Sequence, residues 1–284
     1  NTYYTITGLD HRWTNLRDDH ELYCAGHMIE AAVAYYQATG KRKLLDAMSC
    51  FADHIAQVFG PNQGQKPGYP GHPELELALY KLYRATGEKR YLDLAKFFVD
   101  QRGQEPNWFL EEAKARGELE PTGFRKDLRY FQAHAPVREQ VTAEGHSVRA
   151  LYLFAGVADV AIETGDEELF EVCKTFWRNV TRRRMYVTAG VGSQAFGERF
   201  TIDYDLPSER AYAETCASIA LVFFAHRMLQ AEVAGEYADV MELALYNGIP
   251  SGISLDGRKF FYVTPLEVWP EAARERYDLR HIET

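Results

Sequence analysis

The chain has 284 residues, 46% of them hydrophobic and 26% charged, which is enough apolar material for one large domain or at most two and excludes a disordered chain. A formal net charge of -9 leaves no broad basic surface and argues against nucleic-acid binding. The sequence has no apolar run near the roughly 20 residues that cross a bilayer and no basic-then-apolar leader, so we expect no membrane partner and no export.

The four cysteines are scattered and form no Cys-x-x-Cys pair, which favours a reducing compartment, and we expect a cytoplasmic protein. Three of them, Cys24, Cys50 and Cys173, lie within helical apolar patterns, which predicts small buried hydrophobes. Only Cys216 has acidic neighbours. The sequence leaves the oligomeric state open, and a homo-oligomer is compatible with it.

The first thirteen residues show no helical period and no initiator Met, so we expect the sequence to start inside a larger protein. After them, apolar spacing predicts a helical hairpin that recurs along the chain, with a glycine at each turn. A long polar connection, residues 103–140, separates the second hairpin from the third. The predicted pairs are Asp18–Ala38 with Lys43–Val58, Gly71–Ala85 with Lys89–Gln101, Ala143–Glu163 with Glu167–Val180, and Glu214–Ala231 with Tyr237–Tyr246, and the turn glycines are Gly40, Gly87, Gly165 and Gly235.

These turn glycines are too unevenly spaced for an open solenoid of identical units, but they suit a closed ring whose loops carry function. We therefore predict an all-α fold, an α/α toroid of helical hairpins. Near the C-terminal end the pattern changes, and residues 252–257 and 258–265 are predicted to be short strands around an Asp-Gly turn. Residues 271–284 are charged and show no stop signal, so we expect the fold to continue beyond them.

Residues 197–216 combine carboxylates, two tyrosines and a thiol, which is typical of a site that moves protons or holds a metal near a ring-shaped ligand. Glu198 follows a glycine-rich approach and has phenylalanines nearby. Desolvation is therefore expected to raise its pKa, as a general acid requires. A turn with capping acids is the alternative. The acidic residues and the thiol are Glu198, Asp203, Asp205, Glu214 and Cys216.

Glu214 and Cys216 lie two residues apart, so on a regular helix they would point to different sides. They can share one ion only if the stretch is extended or lies at a ragged helix start. A thiolate with a carboxylate suits Zn²⁺, although two ligands make an incomplete site.

Polar residues recur at the N-terminal end of the first helix of each hairpin, a histidine in the first three and a cysteine in the fourth. In a ring of hairpins these ends would converge at one mouth, which predicts a shared cavity. For each histidine alone, a capping or core role is the alternative. The predicted cavity residues are His20, His72, His146, Glu198, Glu214 and Cys216.

Several short motifs occur in combination over essentially the whole chain. They are His20-Glu-Leu-Tyr, Gly71-His72-Pro-Glu, Glu144-Gly-His146, Arg183-Arg-Met-Tyr-Val187, Gly197-Glu198 with Asp203-Tyr-Asp-Leu-Pro207, Ala213-Glu-Thr-Cys216 and Phe261-Tyr-Val263. Together they resemble glycoside hydrolase family 127, the retaining β-L-arabinofuranosidases. The resemblance implies an (α/α)6 barrel, followed in full-length members by β-sandwich domains. We therefore expect residues 1–284 to be a single catalytic barrel domain truncated at both ends, without those sandwich domains.

For catalysis, the resemblance implies that Glu198 is the general acid/base and that Glu214 and Cys216 are two ligands of a zinc ion. The family's other two zinc ligands are an adjacent Cys-Cys pair, one of which is the nucleophile that forms a glycosyl-thioether. The 284 residues contain no adjacent cysteines, and Thr264 stands where Asn is common. We therefore expect a fragment of a family member with a half-built zinc site.

For substrate binding, the resemblance implies that His20, His72, His146 and Tyr262 contact the arabinofuranose. The expected reaction releases L-arabinose from non-reducing terminal β-L-arabinofuranosides. Two other functions stay open: a sugar epimerase of the N-acylglucosamine 2-epimerase type, which uses paired histidines in such a barrel without metal, and a non-catalytic sugar-binding protein. Zinc content and product identity would distinguish the epimerase from the arabinofuranosidase. Arabinose binding without turnover would identify the non-catalytic sugar-binding protein.

Overall fold

The computed structural model describes residues 2–118 and 123–271. These ranges are helical, with strand pairing limited to isolated bridges, so the predicted all-α class is confirmed. The α-helices are α1 Thr2–Thr7, α2 Glu21–Thr39, α3 Lys43–Val58, α4 Leu75–Thr86, α5 Lys89–Gln101, α6 Trp108–Ala115, α7 Ser147–Thr164, α8 Glu167–Arg183, α9 Thr215–Ala231 and α10 Gly235–Leu243. Short 3-10 segments are Leu9–His11, Gly123–Lys126, Leu128–Phe131, Val137–Glu139 and Pro250–Gly252, and Ala244–Gly248 is a π-helical turn.

The predicted hairpins are present as α2 with α3, α4 with α5, α7 with α8, and α9 with α10. Gly40, Gly87 and Gly165 have φ of 70°, 76° and 66° at the ends of their helices, a left-handed conformation that glycine adopts at little cost. Gly235 opens the second helix of its hairpin as predicted, since it is the first residue of α10, but it does not close the first: α9 ends at Ala231, and its C-cap Glu232 is extended.

Two segments that were expected to lack helices contain them. Residues 1–13 include α1 and the 3-10 turn that follows it, and residues 103–140 include α6 and three 3-10 segments. The amide of Phe109 donates to the Asn107 side chain, which caps α6, and the Phe109 ring is fully buried. Such helices are too short to display an apolar period, so they escape a reading based on periodicity.

Two of the three cysteines predicted to be buried are exposed. Cys173 is buried within α8, whereas Cys24 and Cys50 are exposed on α2 and α3. The apolar residues next to Cys24 and Cys50 in the sequence therefore did not indicate which face of each helix is buried.

Near the C-terminal end, backbone pairing takes the form of isolated bridges. Ile253 pairs with Phe260 around the predicted Asp-Gly turn, where Gly257 has φ of 69°, and Val263 pairs with Glu214. The charged stretch expected to continue the fold lies outside the described residues beyond Glu271. Among the helices of residues 2–118 and 123–271, none is both long and apolar enough to span a membrane.

The chain separates into two compact units. The first comprises residues 1–139 and 159–166, and the second comprises residues 140–158 and 167–284. The expectation of a single barrel domain stays a prediction.

A buried arginine ties the first unit together. Arg102 is fully buried and donates to the carbonyls of Phe131 at 2.8 Å and Pro70 at 2.7 Å and to Glu76 Oε1 at 3.2 Å. Its guanidinium also lies over the Tyr69 ring, 4.9 Å from the centroid. Because a buried charge destabilises unless it is compensated, these contacts fix the end of α5 against α4 and the loop before it.

An aromatic cluster forms the core of the second unit. Phe154 of α7 stacks on Phe176 of α8 with 3.6 Å between ring centroids, and Phe224 of α9 meets the two rings edge-on at 6.1 and 5.9 Å. The rings of Trp177 and Tyr237 of α10 meet edge-on with 5.1 Å between their centroids. Edge-on pairs stabilise beyond the area they bury, so the contacts of Phe224 and Trp177 help to fix the helices whose N-terminal ends carry candidate site residues.

Candidate active site

A tight turn between α8 and α9 aims the side chain of Glu198. Gln194 and Arg199 form a bridge across it, and Gly197 and Glu198 have φ of 78° and 49°. The Glu198 carbonyl accepts hydrogen bonds from the amide and the hydroxyl of Ser147, both at 3.0 Å. A non-glycine residue in the left-handed region is strained and persists only where its surroundings hold it, so the first turn of α7 fixes this glutamate.

Both carboxylate oxygens of Glu198 have hydrogen-bond partners. His146 Nε2 lies 2.7 Å from Oε2, and the Tyr212 hydroxyl donates to Oε1 at 3.0 Å. The Arg149 amide donates to His146 Nδ1 at 3.4 Å, so that nitrogen accepts and the proton of the neutral ring sits on Nε2. His146 therefore donates to Glu198.

The pKa of Glu198 is lowered, which contradicts the expectation from desolvation. The His146 hydrogen bond is the largest cause, and burial, which raises the pKa, is outweighed by it together with the Tyr212 hydrogen bond and the charge of Arg149. Phe196, one of the phenylalanines expected to desolvate the carboxyl, is 61% exposed. In this arrangement Glu198 is held in its carboxylate form.

Glu214 is a buried carboxyl at the start of α9. It is 1% exposed, and among the described residues neither of its oxygens has a partner in hydrogen-bond geometry, although Tyr262 lies close enough to lower its pKa. Burial, aided by the charge of Glu198, raises its pKa to about 8. Its backbone is extended and pairs with Val263, so Glu214 lies just before a regular helix begins, and that Glu214 and Cys216 share one ion stays a prediction.

Cys216 is the second residue of α9 and lines an open cavity of about 560 Å³ together with Tyr262. Cys216 is exposed at the surface, yet partial desolvation of its thiol raises its pKa, and the neighbouring Glu214 raises it further. Without a cation the thiol is therefore protonated and a poor nucleophile.

Several donor atoms in this unit lie close enough to hold a cation. Ligand atoms of His146, Glu198 and Glu214 all lie within 4.8 Å of one another. This set shares Glu214 with the predicted zinc pair but replaces Cys216 with an imidazole and a second carboxylate. The buried oxygens of Glu214 without hydrogen-bond partners, beside a thiol, fit a zinc ion, because a cation would compensate a carboxylate that is costly to bury alone.

The segment around Tyr262 runs beside Glu214. The amide of Thr215 donates to the Tyr262 carbonyl at 3.2 Å, and the Thr264 hydroxyl donates to the Ala213 carbonyl at 2.8 Å. The Tyr262 and Tyr212 rings meet edge-on with centroids 6.2 Å apart. Thr264, which departs from the family pattern, thus keeps a backbone contact that holds this segment in place.

Asp203, one of the candidate acids, has a structural role. Its carboxylate accepts from Arg183 and Arg184, each at 2.8 Å, and from Asn179 at 3.0 Å. These partners lower the pKa of Asp203 to about 2, the Arg183 hydrogen bond most of all. Asn179 also accepts from the Ala143 amide at 2.9 Å. Asp203 therefore ties the end of α8 to the segment that leads to His146.

The first unit brings two of the predicted histidines together. The rings of His20 and His72 lie 6.0 Å apart, and Tyr23 lies 5.6 and 4.4 Å from them. His72 Nδ1 lies 2.7 Å from the carbonyl of Pro73, which can only accept, so the ring proton sits on Nδ1. That these two share a cavity with His146, which belongs to the second unit, stays a prediction.

Sequence reasoning missed a second cluster in the first unit. Ligand atoms of His27, Glu30 and Glu74 lie within 4.8 Å of one another. Glu74 is fully buried, and burial together with the charge of Glu30 raises its pKa to about 10. Lys81 already supplies a positive charge to Glu30. The spacing of His27 and Glu30 on one face of α2 is visible in the sequence, but Glu74 comes from another helix start.

Residues 1–282 match the family model for the β-L-arabinofuranosidase GH127 catalytic domain. The chain is 48% identical over 274 residues to the non-reducing end β-L-arabinofuranosidase of Bifidobacterium longum subsp. longum, covering 95% of this chain and 41% of that protein. A crystal structure of a GH127 β-L-arabinofuranosidase from Geobacillus stearothermophilus T6 matches with a TM-score of 0.97 and 62% identity, over 100% of this chain and 44% of that one. A second solved GH127 β-arabinofuranosidase matches with a TM-score of 0.80 and 45% identity, over 90% of this chain and 37% of that one. The predicted toroid of helical hairpins is consistent with these matches, and the chain spans about two fifths of the length of these relatives.

Proposed function

Since the chain belongs to glycoside hydrolase family 127, we propose that it serves a glycosidase that releases L-arabinose from non-reducing terminal β-L-arabinofuranosides. The observation that supports this most is the carboxylate of Glu198, which is aimed by strained backbone and hydrogen-bonded on both oxygens by His146 and Tyr212. A fixed carboxyl with two polar partners is what proton transfer to and from a glycosidic oxygen requires.

Glu198 is the proposed general acid/base. As the carboxylate favoured by its hydrogen bonds, it takes the proton of the water that completes hydrolysis. In the first step it must instead carry a proton to the leaving oxygen. A sugar that takes over the hydrogen bonds of His146 and Tyr212 would remove what lowers the pKa of Glu198, and burial would then favour its acid form.

His20, His72, His146 and Tyr262 are the proposed sugar contacts. Each neutral imidazole offers one donor and one acceptor nitrogen, which suits paired sugar hydroxyls. His20 and His72 already form one patch with Tyr23 in the first unit. The tautomer of His146 that donates to Glu198 could equally donate to a substrate hydroxyl.

Glu214 and Cys216 are the proposed zinc ligands of this chain. When bound, zinc supplies a positive charge that polarises a thiolate ligand and lowers its pKa. Glu214 is proposed as a ligand because it is buried and has no hydrogen-bond partner among the described residues. The nucleophile of the proposed retaining mechanism is a cysteine of the family's adjacent pair, which these 284 residues do not contain.

The test is hydrolysis of a β-L-arabinofuranosyl disaccharide by the whole zinc-loaded protein, followed by proton NMR. We expect free L-arabinose, released first as the β-anomer, because two displacements retain the configuration. An intact disaccharide or an isomerised sugar, with no arabinose released, would contradict the proposal. The isomerised product would identify an epimerase, and saturable arabinose binding without turnover would identify a non-catalytic sugar-binding protein.

A further inference from the structure

One imidazole and two carboxylates of the first unit lie close enough together to bind a single cation. Ligand atoms of His27, Glu30 and Glu74 all lie within 4.8 Å of one another. His27 and Glu30 share one face of α2, and Glu74 is the residue that precedes α4. None of the three is among the proposed catalytic residues, zinc ligands or sugar contacts.

The absence of a side chain at Gly26 lets α2 and the start of α4 approach closely. A Cβ atom at Gly26 would lie 2.6 Å from Glu74 Cγ and 3.0 Å from the amide nitrogen of Leu75. These distances are shorter than van der Waals contact, so a larger residue at position 26 would displace Glu74. The close approach places the Glu74 side chain against α2, where it is fully buried.

The Glu74 carboxyl is directed into this cluster. His27 Nδ1 lies 3.3 Å from Glu74 Oε1. Within residues 2–118 and 123–271, neither oxygen of Glu74 has a partner in hydrogen-bond geometry, although Glu30 lies close enough to raise its pKa. A buried carboxylate destabilises a fold unless donors or a cation compensate it, so this position is suited to a cation.

Lys81 compensates only one of the two carboxylates. Its ammonium pairs with Glu30, and the side chain is 37% exposed, so it can turn into solvent when another cation binds. The His27 side chain is 41% exposed and gives an ion a path from solvent to the cluster. Burial lowers the pKa of His27, which favours the neutral ring, the form in which imidazole binds metals.

We propose that His27, Glu30 and Glu74 bind an exchangeable divalent cation, with Mn²⁺ as the ion that fits best. Mg²⁺ prefers oxygen ligands alone, whereas Mn²⁺ accepts an imidazole nitrogen beside two carboxylates. The ion exchanges readily because Lys81 competes for Glu30, so a chelator removes it. When bound, it ties α2 to the residue before α4.

The cation site adjoins one of the proposed sugar contacts. The Tyr23 ring lies 4.4 Å from the ring of His27 and 4.4 Å from that of His72, and Glu74 follows His72 by two residues in the chain. An ion that fixes His27 and Glu74 therefore also restrains the segment that carries His72.

Mn²⁺ binding to the whole protein carrying one equivalent of zinc tests the site, because zinc prefers thiolate ligands and Mn²⁺ does not. Electron paramagnetic resonance measures free Mn²⁺ during a titration in excess Mg²⁺, which occupies weak acidic surface sites. We expect one equivalent of bound Mn²⁺ with a Kd below about 1 mM, the weak end of protein sites for divalent cations. Pulsed measurements should show a coordinated imidazole nitrogen.

Substitution of the ligands should remove this binding. Glu74→Gln should weaken it at least about tenfold, and His27→Gln should abolish the nitrogen signal. Lys81→Met removes the competing ammonium and should tighten Mn²⁺ binding about fivefold, as expected for a partly exposed ion pair. That gain of affinity distinguishes a metal site from an ion pair that only stabilises the fold.

Glu112→Gln is the matched control. Glu112 is also a buried glutamate of the first unit, but its oxygens accept from the amides of Leu16 and Arg17 at 2.9 and 2.8 Å. Because those contacts already satisfy its carboxylate, this variant should leave Mn²⁺ binding unchanged.

Three outcomes would overturn the proposal. The first is the absence of a bound equivalent in the unmodified protein. The second is a bound equivalent that Glu74→Gln and His27→Gln leave unchanged, which would show an adventitious cation on the acidic surface. The third is an affinity that Lys81→Met leaves unchanged or lowers, and this measurement with the nitrogen signal decides the matter if Glu74→Gln does not fold.

Discussion

Asp203→Asn is expected to destabilise the second unit in a pH-dependent way. The substitution keeps the size of the side chain but removes the charge that accepts from Arg183, Arg184 and Asn179. Because Asn179 and Arg184 also bond the backbone of Ala143, the loss should reach the segment that leads to His146.

The magnitude follows from the pKa of Asp203, which is lowered from 3.8 to about 2. At 1.36 kcal/mol per unit, this shift corresponds to roughly 2 kcal/mol before screening. Asp203 is 28% and Arg183 is 53% exposed, so solvent screening reduces the contribution to about 1 kcal/mol. Since the folded-state pKa is the lower one, the stabilisation is present above about pH 4 and is lost as pH falls to about 2.

Urea unfolding followed by circular dichroism at several pH values measures this difference. At pH 7 the variant should be about 1 kcal/mol less stable than the unmodified protein, and the difference should shrink as the pH falls toward 3. Asp205→Asn, two residues away in an exposed position, is the control and should change stability little at either pH. A difference that stays constant from pH 7 to pH 3 would refute the electrostatic role of Asp203.

Arg102→Met should lower the free energy of unfolding by about 3–5 kcal/mol, because it leaves the buried Glu76 carboxylate unpaired; a loss below about 1 kcal/mol in urea unfolding would contradict this. Tyr212→Phe removes one of the two hydrogen bonds to Glu198 and should lower kcat/KM for the disaccharide about tenfold with an unchanged melting temperature, whereas Tyr246→Phe should change neither. The 284-residue chain, dialysed against a mild chelator, should retain well under one equivalent of zinc by elemental analysis, because it supplies only Glu214 and Cys216 of the four proposed zinc ligands; one full equivalent would show that the proposed ligand set is wrong.

The helices could be predicted from the sequence wherever an apolar period ran long enough. Lys43–Val58 and Lys89–Gln101 match their predicted bounds, since each has an apolar face that repeats over at least three turns. Short elements such as α1 lack that repeat. Gly235 shows the limit of a turn signal, because a glycine near a helical turn can begin the next helix as readily as end the previous one.

The sequence could nominate candidate site residues, but it could not predict their electrostatics. The pKa of Glu198 depends on His146, which is 52 residues away in the chain, and on Tyr212. Phenylalanines adjacent in the sequence suggested desolvation, whereas the folded chain brings in an imidazole donor. Asp203 likewise belongs to the acidic stretch of residues 197–216. Its structural role depends on Asn179 and on Arg183 and Arg184, which lie on and directly after α8.

Turnover by Glu198→Gln in the whole zinc-loaded protein tests the role of Glu198 as the general acid/base. Glutamine keeps the shape but cannot transfer a proton, so kcat for a β-L-arabinofuranosyl disaccharide should fall by at least about 100-fold. An aryl arabinofuranoside needs less protonation of its leaving group and should lose less in the first step. Glu236→Gln, at an exposed position of α10, should leave both rates unchanged. Turnover of the disaccharide by Glu198→Gln at the rate of the unmodified protein would remove Glu198 from the mechanism.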